Sequence, residues 1–393
     1  MFSKVASRLH GEVNSLYRLL DEIRADGGAV ADLVSGNVNE HGLTFPQDLL
    51  ESCLAEASRL CRVYRPDSLG QLPAREAISA YYARSGYPVP PDSLVLTPGT
   101  SVAYWYCFKL LADEGDEILC PQPSYPLFDY IATLSGVKLI PYVLTEASGW
   151  SIDLDRLEAS LSTRTRAIVL ISPHNPTGHV ATDGEINALA SIAARHDMAI
   201  ISDEVFSEFL GRPGPLPRPG TGVPLAILLN GFSKMFALPG LKLGWMALRG
   251  EASRVREALR ALELISDTFL PVNDVVQAAV PRLFEEGRSF GQSYATAVRE
   301  RWRLASDSLA QSGRARFVEP DGGFYVALGL DGLEEENTVL ELLRQERLLV
   351  HPGYFYDMRP DHLVLSFVQE PEVIRDVYPR LTGLLDRLWT RGY

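Results

Sequence analysis

The sequence predicts an α/β protein with a mostly parallel central sheet and flanking helices, followed by a smaller α+β domain. Two changes of pattern along the chain predict it. From about Leu94 to Leu248, short apolar runs alternate with amphipathic stretches, as strands and crossover helices of a parallel sheet do. After about Asp274 the alternation gives way to long helical stretches and then short strands, the order of an α+β unit. The larger domain is assigned to residues 46–274, and the smaller one to residues 275–393 together with 1–45. A chain of 393 residues is long enough to bury a large core.

Taken in order, the candidate strands are Glu117 to Cys120, Lys138 to Tyr142, Ala167 to Ile171, Ala199 to Ser202, Leu225 to Leu229 and Leu243 to Leu248. Most are near-continuous apolar runs, as strands covered on both faces must be. Between them, Asp153 caps a helix reaching Leu161. Thr182 opens a second helix, to His196, with Glu185 completing a capping box. Gly211 to Pro224 is rich in Gly and Pro and reads as a surface loop. Further on, Ala295 to Leu309 has helical periodicity. Gly323 to Leu328, Leu348 to His351 and Leu363 to Val368 read as strands before a final helix. No internal repeat is present.

Composition excludes several classes of function. Acidic residues outnumber basic ones, 50 to 37, and the Lys and Arg are scattered, so no basic stripe is available for nucleic acid. The four cysteines, Cys53, Cys61, Cys107 and Cys120, have neither metal-ligand spacing nor the density of a disulfide scaffold, and read as packing thiols in a reducing cytoplasm. Lys4, Arg8, Glu12 and Arg18 interrupt the N-terminal stretch, so no apolar signal segment is expected there. No apolar run elsewhere is long enough to span a bilayer. Neither nucleic acid nor membrane is an expected partner.

Short motifs follow one another in a fixed order: Pro98-Gly99-Thr100-Ser101, Pro123-Ser124-Tyr125, His174-Asn175-Pro176-Thr177-Gly178, Ser202-Asp203-Glu204 and Asn230-Gly231-Phe232-Ser233-Lys234. Gly99, Thr100 and Ser101 open a stretch of helical periodicity. They offer backbone N–H groups and two hydroxyls where a phosphate is favoured, although an ordinary cap after a Pro-Gly turn reads the same way. Asn175 lies just past an apolar strand, in the crevice where open α/β sheets bind ligands; Asn-Pro also starts ordinary turns. Asp203 ends an apolar run, so its carboxylate is buried and needs a cation, from a ligand or from a structural salt bridge.

Together these motifs resemble the class I/II aminotransferases of the pyridoxal-phosphate fold-type I family, over most of the chain from about Gly36. The resemblance implies pyridoxal 5'-phosphate as cofactor and Lys234 as the lysine that forms a Schiff base with it, then moves a proton as general base and acid. It implies Asp203 as partner of the cofactor's ring nitrogen and Asn175 as donor to its phenolic oxygen. Tyr125 is implied as the aromatic ring against the pyridine face, where a core tyrosine at a strand end is the alternative. Gly99, Thr100, Ser101, Ser233 and Lys242 complete the implied cofactor site. Tyr64, in Tyr64-Arg65-Pro66-Asp67, matches the tyrosine that reaches the neighbouring subunit's phosphate, which implies a homodimer; a core or surface aromatic reads equally well.

Three positions depart from the family pattern. Phe206 stands where a tyrosine usually donates to the phenolic oxygen. Lys242 replaces an arginine in Gly-Leu-Arg-Leu-Gly, substituting a point charge for a fork. Val364, in His362-Leu363-Val364-Leu365-Ser366-Phe367, stands where an arginine normally grips the substrate's α-carboxylate. Another cation, with Arg359, His362, His351 or Lys242 as candidates, takes over, or the substrate is not held as an ordinary α-amino acid. The expected function is therefore an aminotransferase moving an amino group between an amino acid or amine and a 2-oxo acid. The alternative is a lyase, decarboxylase or oxidative deaminase of the same cofactor acting on an unusual, biosynthetic amino acid.

Overall fold

The computed structural model describes residues 1–9, 14–220 and 222–391; Glu12 lies outside the described residues. An eight-stranded sheet holds the strands in the spatial order Leu94–Thr97, Gly244–Gly250, Leu225–Gly231, Ala199–Asp203, Thr165–Ile171, Glu117–Gln122, Lys138–Thr145 and Ser151–Ile152. The run from Leu225–Gly231 to Lys138–Thr145 is parallel throughout. The outer strands are antiparallel to their neighbours.

The expected strands are all present, most of them longer than their apolar cores. Leu243 to Leu248 begins one residue later, at Gly244, and runs antiparallel to Leu225–Gly231. Apolar composition gives no information on direction; the short return through Pro239–Leu241 sets it here.

Side chains alternate across the sheet. Ile168, Leu170, Ile200 and Leu228 enter one core, while Val169, Ile171, Ile201 and Ile227 enter the other. Helices Thr100–Leu111, Leu127–Ser135 and Ala252–Asp267 cover the second face. Asp183–Arg195 and Asp274–Glu286 lie on the first. The Thr182 capping box forms with Glu185, and Asp153 caps Leu154–Ala159. That helix stops short of Leu161, where the Ser160 hydroxyl donates to the Arg156 carbonyl.

The smaller α+β part holds an antiparallel sheet in the order Arg316–Phe317, Tyr325–Gly329, His362–Ser366 and His351–Pro352. Leu348 to His351, expected as one strand, is split. Leu348–Leu349 pairs in parallel with Ala31–Asp32 from the N-terminal segment, and only His351–Pro352 joins the antiparallel sheet. A proline cannot donate to a ladder, so the run ends at Pro352. Helices Arg288–Leu309 and Pro371–Arg391 pack together alongside.

One backbone crossing positions the functional end of the large sheet. Gly231 and Gly244 face each other across neighbouring strands. A Cβ on Gly244 would lie 2.9 Å from the Gly99 Cα and 3.1 Å from the Asn230 carbonyl. Three chain segments therefore meet where only glycine fits. Gly244→Ala is expected to cost about 1–3 kcal/mol in urea unfolding through overpacking; an unchanged midpoint would show that the crossing tolerates a side chain.

Candidate active site

The carboxyl ends of the parallel strands open into a cavity of about 250 Å³. Thr100, Ser101, Tyr125, Asn175, Asp203 and Lys234 all line it, with Ser233 beside them. These residues come from five separate connections, and the parallel topology brings them together, because each strand delivers its following loop to the same edge.

Thr100 and Ser101 form the first turn of the helix Thr100–Leu111. Gly99 is its N-cap, with φ of 112°, a conformation that favours glycine. The first N–H groups of that helix have no partners within it and carry the positive end of its dipole, an arrangement suited to an anion.

Asp203 is the last residue of its strand and is 8% exposed. Its Oδ1 accepts from the Val205 amide at 3.0 Å and its Oδ2 from the Tyr104 hydroxyl at 2.9 Å. Neither donor is charged. Burial pushes the carboxyl up to about 6, against the pull of those two hydrogen bonds. The neighbouring Glu204, also buried, meets Arg218 at 2.8 Å. Of two adjacent buried acids, one has its cation within the protein and the other faces the cleft.

Lys234 follows Gly231 on the short helix Phe232–Met235. Its Nζ donates to the Gly36 carbonyl at 2.9 Å and lies 5.8 and 5.6 Å from the ring centres of Phe206 and Phe324. Desolvation lowers its pKa to about 8, which places an appreciable fraction of neutral amine near physiological pH. The Asn175 Oδ1 is buried without a hydrogen-bond partner. Tyr125 stands at the mouth, 43% exposed.

The sequence profile of the family described as aminotransferase class I and II matches residues 35–377. The chain belongs to that family. It is 29% identical over 367 residues to the glutamate-pyruvate aminotransferase of Haemophilus influenzae, covering 89% of this chain and 90% of the relative. It is 28% identical over 355 residues to an alanine aminotransferase of Mycobacterium bovis, covering 87% and 82% of the two chains. An alanine aminotransferase from Pyrococcus furiosus shares the fold, with a TM-score of 0.91, 24% identity and coverage of 98% of this chain and 100% of that one. The chain is thus a pyridoxal-phosphate-dependent aminotransferase of the fold-type I architecture, and these likenesses favour that activity over the lyase, decarboxylase or deaminase alternative.

The cleft fits that cofactor on its own chemistry. Asp203 lacks a cation, which a protonated ring nitrogen would supply. The Asn175 side-chain oxygen is buried without a donor, a lysine amine of lowered pKa lines the same cavity, and a helix N-terminus there suits a phosphate.

Two expected site residues lie elsewhere. Lys242 is exposed, in a left-handed turn after Pro239–Leu241, and does not line the cavity. Tyr64 is 66% exposed and lines a separate groove of about 440 Å³ with Cys61, Asp67 and Asn273. Contributors not among the expected residues include Tyr104, Tyr325, Phe324 and Gly36. Tyr104 was legible in principle, since it lies one helical turn after Thr100 on the same face. The other three reach the cleft through tertiary packing.

The missing cation gives a testable sign. With its pKa raised from 3.8 to about 6, Asp203 disfavours the fold when ionised, a penalty absent below about pH 4 and complete above about 6. Asp203→Asn is therefore expected to stabilise the cofactor-free protein by about 1–2 kcal/mol at pH 7.5, with the gain vanishing on acidification, and to weaken cofactor binding. Denaturant unfolding at pH 7.5 and 4 checks this. A destabilised variant at pH 7.5 would mean the carboxylate is compensated within the protein.

Proposed function

We propose that Lys234 holds the cofactor covalently through Nζ and that Asp203 keeps its ring nitrogen protonated, in an aminotransferase that passes an amino group from an amino acid or amine to a 2-oxo acid. The observation that carries the reading is the pairing, in one cleft, of a buried acid without a cation and a buried lysine of lowered pKa. When bound, the cofactor supplies an aldehyde that takes up the donor's amine and a cationic ring that accepts the electron pair from the donor's Cα.

The chain's own residues do the rest. The first turn of Thr100–Leu111, with Gly99, Thr100 and Ser101, and the hydroxyl of Ser233 receive the phosphate. Asn175 donates to the phenolic oxygen and the Tyr125 ring lies against the pyridine face. Asp203, with Oδ1 and Oδ2 fixed by Val205 and Tyr104, is oriented for the ring nitrogen. The Lys234 amine, once freed by the donor, takes the proton from the donor's Cα at Nζ. Lys242 contributes its charge at long range to the phosphate end.

In this reading the enzyme is a cytoplasmic homodimer, and Tyr64, which lies outside its own cleft, completes the neighbour's phosphate site. No helix among the described residues is long and apolar enough to cross a membrane. Residues 46–274 form the cofactor domain, and residues 1–45 with 275–393 the small domain. Alanine, glutamate and pyruvate, which the relatives' names give, are the first donors and acceptors to try.

Borohydride reduction of the holoenzyme followed by mass spectrometry should place a phosphopyridoxyl adduct on Lys234, and Lys234→Ala should lose both the adduct and the visible absorbance band. An adduct on another residue would reject the assignment. Because cofactor capture needs neutral amine, its rate in the apoprotein is expected to rise with pH and level off above about 8 rather than near 10.5. Stopped-flow absorbance measures this. Mixing Lys234→Ala chains with Tyr64→Phe chains should restore one intact cofactor site per hybrid dimer; no recovery of tight binding would place Tyr64 outside the site.

A further inference from the structure

Tyr325, from one face of the small antiparallel sheet, forms part of the wall of the cleft that Asp203 also lines. In the register of that sheet Tyr325 stands opposite Ser366, Ala327 opposite Val364, and His351 opposite Val364. Directly opposed residues share a face, so Tyr325, Val364, Ser366 and His351 lie on one side of the sheet. Tyr325 lines the cavity, so this is the side that looks into the cleft. Its hydroxyl abuts Gly36, where an added Cβ would come within 2.3 Å of it and 3.2 Å of the Lys234 Nζ. The Ser366 hydroxyl donates to the Ser35 carbonyl on the same segment. Val364 itself is covered, 1% exposed, and offers the cleft no polar atom.

Among the described residues, none of the candidate cations replaces it on this face. His362, at the far end of the strand, is taken by Glu146 at 3.2 Å and by Asp361. Arg359 is exposed beyond the strand, and Lys242 does not line the cavity. His351 has both ring nitrogens engaged, Nε2 with the Tyr17 hydroxyl at 2.7 Å and Nδ1 with the Tyr356 hydroxyl at 3.1 Å. Burial lowers its pKa to about 4, so it is neutral in the working range. The phenols of Tyr325, Tyr125 and Tyr17 stand near enough to Tyr356 to oppose its ionisation, which gathers four hydroxyls at this end. Asp32, whose carboxylate accepts from the amides of Val34 and Ser35, adds negative charge felt by Tyr17, His351 and Tyr325. Among Tyr17, His351, Tyr325 and Tyr356, only Tyr17 feels a cation, Arg24.

A carboxylate brought here would be desolvated against neutral hydroxyls and a nearby acid, with no counter-ion to compensate it. A neutral polar group would lose far less water and find phenols able to donate or accept. We propose that the substrate group facing Tyr325 and the covered Val364 is uncharged, so that the preferred amino donor lacks a free α-carboxylate, as an amino-acid amide, ester or amino alcohol does. Tyr325 is then a specificity-determining residue. A 2-oxo acid serves the other half-reaction without an ion pair, at a high half-saturation concentration. The inference rests on the aminotransferase reading of this cleft.

The test is titration of the holoenzyme's visible absorbance with matched pairs, L-alanine against L-alaninamide and L-phenylalanine against L-phenylalaninamide. The amide of each pair is expected to bind at least tenfold more tightly than the free acid. Tyr325→Phe is expected to reduce that ratio, and Val364→Arg to reverse it. Free acids binding as tightly as their amides in the unaltered enzyme would overturn the proposal, whatever the variants do and whether or not Val364→Arg folds. Conversion of the cofactor to its amine form is read separately in the same spectra. Amide preference without conversion would sink the transfer reading and leave this one standing, whereas conversion by free acids at equal affinity would do the opposite.

Discussion

The cleft depends on a carboxylate held dry without a cation of its own. Asp203 terminates a strand whose two faces are covered by separate apolar cores, and that coverage makes its charge costly. Glu204, one residue on, shows what a purely structural acid looks like in the same surroundings, because it is closed off by Arg218. Leaving Asp203 open means that at neutral pH the protein carries an electrostatic cost that a cationic ligand relieves. Stability is lower for it, and affinity for the right heterocycle is higher.

The lysine in the same cleft is tuned by the same device. Lys234 sits above Phe206 and Phe324, which themselves meet edge to face at 4.9 Å, and near Tyr325, so its ammonium form is poorly solvated. Phe206, which removes a hydroxyl from the expected set, thereby gains a role as apolar floor under the amine. Elsewhere on the cleft wall the same principle runs through Tyr325 and Val364, where neutral groups replace charge.

How much of this was legible depended on the range of the interaction that decides each feature. Strands such as Ala199–Asp203 were readable because burial on both faces demands an uninterrupted apolar run. Thr182 with Glu185 was readable because a capping box closes within four residues. Asn175, Asp203 and Lys234 were readable because each follows a strand at its carboxyl end, where open sheets place their chemistry. By contrast, the split of Leu348 to His351 between two partners, and the antiparallel course of Gly244–Gly250, follow from pairings made by distant segments. Tyr325 and Gly36 were invisible for the same reason. Neither belongs to a local motif, and they meet Lys234 only because the small sheet and the N-terminal segment fold back over the cleft.

The sequence by itself determined the alternation of strand and helix, the caps and the family, and it put Lys234, Asp203 and Asn175 at strand ends that open into one cleft, because each is written in neighbouring residues or in the period of a single element. Tertiary structure alone decided which buried acid keeps a cation and which does not, how far the lysine's amine is desolvated, and that the wall beside Val364 is neutral. Those are properties of dielectric and proximity. They arise from segments far apart in the chain and exist only once the two sheets have closed on each other.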